Sequence, residues 1–248
     1  QLPDGVRRYA YRVTPWNGVK EGESTLSNSI IYGQSYTVPY VDDFSAEGAL
    51  DVYTILDVDG NGQTWHINPN SGNNLVEADV PYDENTAQAN DWLLTPKVRL
   101  EAGHVYRVTA HMRNMWTGTP EKIAFGFVPG TDLDITDMTS IRESEFNTPS
   151  MTLEDQSADF SVPADGDYKL ALGYLSEKGG GRGGVFMSQF RIEEVGLATA
   201  PAAPSALTVT PDPSKAQKAT VAFTAPALTL GGNALSGQLS ANIYIDGG

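Results

Sequence analysis

The chain has no cysteine, which excludes a disulfide framework, a zinc–thiolate site and a thiol nucleophile together. Basic residues are few: 16 Lys and Arg stand against 31 Asp and Glu, a formal net charge of −15. They are scattered, without a Lys/Arg run, so phosphate backbones and anionic membrane surfaces are repelled and no nucleic-acid partner is expected. Cations are the natural small partners of such a surface. No apolar run approaches the roughly 18 residues of a spanning helix, and no membrane insertion is expected. Catalytic signatures are missing too. His66, His104 and His111 are not accompanied by an HExxH or GxSxG pattern, and no carboxylate pair stands out among the many acids. The chain is expected not to be an enzyme.

Helical periodicity is nearly absent as well. The one candidate is 132–141, capped by Thr131 or Asp134, a turn or two on a connection. What the chain has instead is period-two alternation broken by Gly, Pro, Asn and Asp, the pattern of short strands and turns. Tyr9, Tyr11 and Val13 alternate with Arg8, Ala10 and Arg12, then Asn17-Gly18 and Gly22 supply a turn before a second strand near 26–32. Further strands are expected over 51–56, 91–94, 104–112, 122–128, 167–175 and 185–192. After Gly196 a Pro/Ala linker leads to three more, at 206–210, 219–224 and 241–245. The reading is all-β: a central jelly-roll β-sandwich over 39–197, with smaller pieces at 1–38 and 198–248.

Tyr9-x-Tyr11-x-Val13-x-x-x-Asn17 with Gly22 and Ser27 resembles the last hairpin of a fibronectin type III module, with Tyr9 or Tyr11 near its tyrosine corner. The C-terminal strands resemble the opening of another such module. Neither piece buries its apolar face alone, so the two ends are expected to pair, within one chain or between neighbours. Gln1 falls inside such a module, so the missing leader is uninformative about compartment.

Three stretches of the central piece form a recurring set: Asp57-x-Asp59-Gly60-x-Gly62-x-x-Trp65, Asn90-Asp91-Trp92-Leu93-Leu94-Thr95-Pro96, and Ser161-Val162-Pro163-x-x-Gly166-x-Tyr168. The set resembles the cleaved-adhesin or choice-of-anchor J family, jelly-roll modules of Bacteroidetes surface proteins and of gingipain hemagglutinin/adhesin regions. The resemblance spans about 40–196. It implies a secreted or cell-surface bacterial recognition domain, often calcium-bound, without catalysis of its own. One departure stands out: Met187-Ser188-Gln189-Phe190 occupies the place of an Ile-Asp-Asp-Val-like strand, so a site relying on those acids is in doubt.

Asp57, Asp59 and Asn61 put oxygen-bearing side chains at alternate positions of a glycine-rich loop, which suits a hard cation such as calcium. The twelfth position of the loop is Asn68 rather than an acid, and no helices flank it, so it is not an EF-hand. An Asx-rich turn without metal is the alternative. A second candidate corner joins Asp42-Asp43 to Asn90-Asp91, with Asp43 and Asp91 as ligands. His111 lies on a strand face with Arg107, Thr109 and Arg113, either a solvated face or a ligand-facing one. The run Gly179–Gly184 lacks a following Lys-Ser/Thr and reads as a hairpin tip rather than a phosphate loop. Trp65 and Trp92 read as core, whereas Trp116, before Thr117-Gly118, is a candidate for stacking on a sugar. The expected function is extracellular recognition of carbohydrate or of a host or matrix protein, probed against two alternatives: a structural spacer, or an accessory module of a surface protease or glycosidase.

Overall fold

The structure is a computed structural model that describes residues 6–69, 75–79, 88–116, 120–148, 152–177, 183–215, 218–237 and 239–244. Its N-terminal hairpin pairs β1 (Arg7–Val13) with β2 (Thr25–Tyr32). The central body follows with β3 (Tyr40–Asp42), β4 (Thr54–Asp57), β5 (His66–Ile67), β6 (Val76–Asp79), β7 (Asp91–Leu94) and β8 (Val98–Leu100). It continues with β9 (His104–Asn114), β10 (Glu121–Pro129), β11 (Thr139–Phe146), β12 (Glu154–Phe160), β13 (Gly166–Tyr174) and β14 (Gly184–Leu197). A last hairpin joins β15 (Ser205–Pro211) to β16 (Ala219–Thr224).

The body is two six-stranded antiparallel sheets. One runs β11-β10-β13-β7-β4, with β8 also on β13; the other runs β12-β9-β14-β6-β5, with β3 also on β14. The alternation read from the sequence decides which side chains meet between them. Tyr168, Leu170, Leu172 and Tyr174 of β13 and Tyr106, Val108, Ala110 and Met112 of β9 are buried in one core with Phe125, Phe127 and Phe190. The all-β sandwich is what the sequence led us to expect.

The first sheet also carries apolar residues on its outer face, where Trp92, Leu94, Ala124, Val128 and Ala171 form a second cluster capped by Ile135 and Met138. Two glycines make room for that layer. A Cβ on Gly173 would sit 2.8 Å from the Trp92 ring, and one on Gly126 would sit 2.5 Å from the Met138 sulfur.

The helix candidate at 132–141, expected to be a turn or two on a connection, is a non-helical turn over 131–138 that runs into β11. The Asp134 carboxylate takes the Thr136 amide at 2.9 Å, an Asx turn that competes with helix, while Ile135 and Met138 anchor the segment to the sheet. Among the described residues the only helical turn is Ala49–Val52. No third C-terminal strand forms at 241–244; Ile243 and Tyr244 are exposed. Among the described residues the two ends do not share a sheet within the chain either, and Tyr11 and Phe223 are 59% and 37% exposed. The N-terminal hairpin is tethered to the body, where Arg8 donates to the carbonyls of Asp51 and Tyr53; beyond the C-terminal hairpin, Leu230 and Gly231 donate to the linker carbonyls of Ala200 and Ala198. The Tyr9 hydroxyl is buried without a partner, so it does not make the tyrosine-corner bond.

Candidate functional site: an acidic corner at the β4–β7 edge

β4 ends on Asp57 and β7 begins on Asp91, and the antiparallel register sets these two residues opposite each other. The loop after β4 is folded around the first carboxylate. Asp57 Oδ1 accepts from the amides of Gly60 (2.7 Å) and Asn61 (3.1 Å), and Oδ2 accepts from Gly62 (2.8 Å). Gly60 and Gly62 adopt φ of 71° and 82°, the left-handed region where a side chain is disfavoured. That requirement explains the glycine spacing. Asp59 Oδ1 accepts from Asn61 N at 3.0 Å, and its Oδ2 reaches Asn90 N at 3.2 Å, tying the loop to the start of β7.

Asn61 serves the turn. Its amide group donates to Asp59 Oδ2 at 2.9 Å, and its oxygen takes the Gln63 amide at 2.7 Å. The third carboxylate of the corner is Asp91. Ligand oxygens of Asp57, Asp59 and Asp91 all lie within 4.8 Å of one another.

Asp91 is fully buried, and among the described residues neither of its carboxylate oxygens has a hydrogen-bond partner. Thr64 is close enough for its hydroxyl to favour the charged carboxylate, but that buried hydroxyl is not in hydrogen-bonding geometry with any group either. Burial, and next the charge of Asp59, push the Asp91 pKa up to about 7. Burial also raises Asp59. Burial opposes ionisation of Asp57 too, yet the amides of Gly62, Gly60 and Asn61, together with Asp59, hold it below its usual range. Three acids thus crowd one corner, and like charges directly across a ladder are destabilising.

The indoles flanking the corner fix its backbone. Trp65 Nε1 donates to the Asp91 carbonyl at 3.1 Å, and Trp92 Nε1 donates to Asn90 Oδ1 at 2.7 Å. Both rings are buried, as expected, and both also position Asn90-Asp91. A groove of about 440 Å³ opens alongside, lined by Gly62, Gln63, Thr64, His66, Glu77 and Asp79.

The donor set is all oxygen, partly exposed, with one carboxylate and one hydroxyl lacking partners. That fits a hard cation: ligand oxygens around a shared calcium lie up to about 5 Å apart, and water completes its six to eight ligands. Carboxylate and carbonyl oxygens suit calcium, magnesium or manganese rather than softer metals.

The other candidate residues are not part of this carboxylate cluster. Asp43 accepts from Ser45 N at 3.0 Å, an exposed turn whose Ser45 hydrogen bonds lower its pKa. Asp42 takes the Phe44 amide and the Tyr53 hydroxyl. Ser188 occupies a bulge in β14 and donates to the His111 carbonyl at 3.3 Å. His111 pairs with Asp155 at 2.7 Å, and Arg191 pairs with the same carboxylate. His104 pairs with Glu194, and His66 Nδ1 sits 2.9 Å from the Thr64 carbonyl. Trp116 is 43% exposed; residues 117–119 after it, and 179–182 of the glycine run, lie outside the described residues. Thr64 escaped sequence reading because a lone threonine carries no motif. The Asp57–Asp91 juxtaposition left only a partial signal: each acid bounds a short four-residue strand, but the pairing that brings them together is set by the register.

No protein-family model matches the chain, and no curated protein matches it. Among solved structures it is similar to the K1 cleaved adhesin domain of Lys-gingipain from Porphyromonas gingivalis W83, at 15% identity and a TM-score of 0.46 over 63% of this chain and 98% of that one. It is also similar to the CsCBM6-3 module from Clostridium stercorarium in complex with cellobiose, at 13% identity and a TM-score of 0.36 over 65% and 98% of the two chains. A third is the C-terminal CBM6 of LamC from Zobellia galactanivorans, at 14% and 0.36 over 57% and 98%. At these identities and scores the likenesses fix neither a family nor a ligand.

Proposed function

We propose that the chain is a non-catalytic extracellular recognition module of the adhesin kind, braced by one calcium ion at Asp57, Asp59 and Asp91. The central sandwich over 39–197 is the recognising unit, and the flanking hairpins belong to fibronectin-like modules of a bacterial surface protein. The observation that carries the cation is Asp91: a fully buried carboxylate without a hydrogen-bond partner, in a corner shared with two more acids. Burying such a charge without compensation is costly, and a divalent cation compensates all three at once. Asp57 and Asp59 would hold it from the loop and Asp91 from the sheet, with the Thr64 hydroxyl as a neutral oxygen donor beside Asp91.

The ion supplies charge neutralisation and rigidity, and no reaction is routed through it. The loop and the start of β7 are then held as one unit beside the groove of His66 and Glu77. Carbohydrate, or a host or matrix protein, is the partner class, with exposed Trp116 a candidate stacking residue. The test is a thermal-unfolding scan with calcium and with EDTA, followed by a glycan array of the calcium-loaded chain. A calcium-dependent rise in Tm with sugar binding supports the proposal. An unchanged Tm removes the brace, and silence across the array returns the chain to the spacer reading.

A further inference from the structure

At the opposite end of β7 from Asp91 the charge reverses sign. Lys169 projects from β13 onto the outer face of the first sheet and is 4% exposed, an uncommon place for an ammonium. Among the described residues it makes one hydrogen bond, to the Asp132 carbonyl at 2.5 Å, although an ammonium carries three donors. Burial lowers its pKa; the Asp132 carboxylate partly offsets this, and the nearby charge of Lys97 adds a smaller lowering. Two lysines and one aspartate leave this spot locally positive on a chain of net charge −15.

The lysines share a groove of about 290 Å³ where the N-terminal hairpin meets the body, walled by Ile30, Tyr32, Pro96 and Leu133. The hairpin is held there. Arg8 binds the body at the carbonyls of Asp51 and Tyr53, and the segment after β2 clasps β8 through Tyr36 N to Lys97 O (2.8 Å) and Arg99 N to Tyr36 O (2.7 Å). The groove is at the small end of ligand sites, which run about 300–1,000 Å³, so it admits a single ring rather than a length of chain. Apolar walls, an aromatic ring and two lysines in the lining suit a ring bearing one carboxylate.

We infer that the groove between Lys97 and Lys169 is a binding site for the carboxylate of an acidic sugar, a hexuronate residue whose ring lies against Tyr32. The carboxylate takes donors left over on Lys169 and the ammonium of Lys97; charge-assisted bonds of this kind are the strong ones. This site does not rest on the proposed calcium brace, and its test is run with calcium held constant.

The experiment titrates the 248-residue chain with sodium glucuronate, glucose, acetate and a short glutamate-rich peptide, followed by calorimetry and by NMR shifts. Glucuronate is expected to bind at least about tenfold more tightly than glucose or acetate, the size of one charge-assisted contact. Lys97→Gln and Lys169→Met should each weaken it by about tenfold, with Lys122→Gln, at an exposed pair with Glu143, as the unaffected control. Thermal unfolding reports whether Lys169→Met still folds, and the half-exposed Lys97→Gln tests the site regardless. Equal binding of acetate, tighter binding of the peptide, no binding of glucuronate, or binding that survives Lys97→Gln would each overturn the inference.

Discussion

Asp57 and Asp91 face each other across the β4–β7 ladder, one folded into a loop of amides and the other buried without a partner. The loop has already given Asp57 its hydrogen bonds, so the unmet demand of the corner is concentrated on Asp91. Replacing Asp91 with Asn is therefore expected to act in opposite directions with and without calcium. In EDTA at pH 8 the variant should be more stable than the parent by on the order of 1–2 kcal/mol, because a buried like charge is gone. In saturating calcium it should be less stable, and its Tm should no longer respond to the ion. Paired denaturation curves in EDTA and in calcium measure both signs.

The same residue sets a pH dependence. Its folded pKa, raised to about 7 by burial and by Asp59, exceeds the ordinary aspartate value. The folded state therefore holds a proton that the unfolded state has released. The stability this contributes is complete below about pH 4 and is lost as pH rises through about 7. In EDTA, Tm should fall between pH 5 and pH 8. Calcium competes with that proton, so the rise in Tm that it causes should grow over the same interval, reaching roughly 5–10 °C at a hundredfold excess over Kd. A calcium shift that is flat across this pH range would remove Asp91 from the ligand set.

How much of this was legible beforehand depends on the range of the interaction. β7, β9, β10, β13 and β14 carry long or strongly apolar alternation, and their expected spans lie within a few residues of the observed ones. β5 and β3 have two and three residues, too few for a period to show. β11 was hidden because Thr139–Phe146 is polar and mostly exposed, so its pairing with β10, rather than any apolar period, makes it a strand. The acidic corner was half visible. The loop acids and glycines are local and announce themselves. Asp91 lies 34 residues beyond Asp57, and only the strand register shows that it belongs with that loop rather than with Asp43.

Glu121 is a second buried carboxylate, but a satisfied one. It accepts from the Tyr174 hydroxyl at 2.8 Å and from Gly184 N at 2.9 Å, linking β10 and β13 to the start of β14 across the two sheets. Glu121→Ala should destabilise the chain by about 2–4 kcal/mol, since it strands two buried donors. Glu121→Gln, which keeps an acceptor, should lose less. Urea denaturation of the two variants distinguishes them, and equal losses would mean that the carboxylate's bonds do not matter.

Gly173 lies under the six-membered ring of Trp92, where a Cβ would approach three ring carbons to within 2.8–2.9 Å. The same indole also holds Asn90 through its Nε1, so the outer layer of the first sheet is mechanically connected to the acidic corner. Gly173→Ala should destabilise by about 1–3 kcal/mol, the usual loss for overpacking. Because the displaced ring carries Asn90 with it, calcium affinity should fall as well, although the substitution lies outside the ligand set. Gly126→Ala crowds Met138 on the same face, but Met138 is flexible and does not contact Asn90 through a hydrogen bond. It should lower stability while leaving calcium affinity unchanged. Calcium titrations of both variants, run at a temperature where each is folded, decide whether Trp92 couples the layer to the corner.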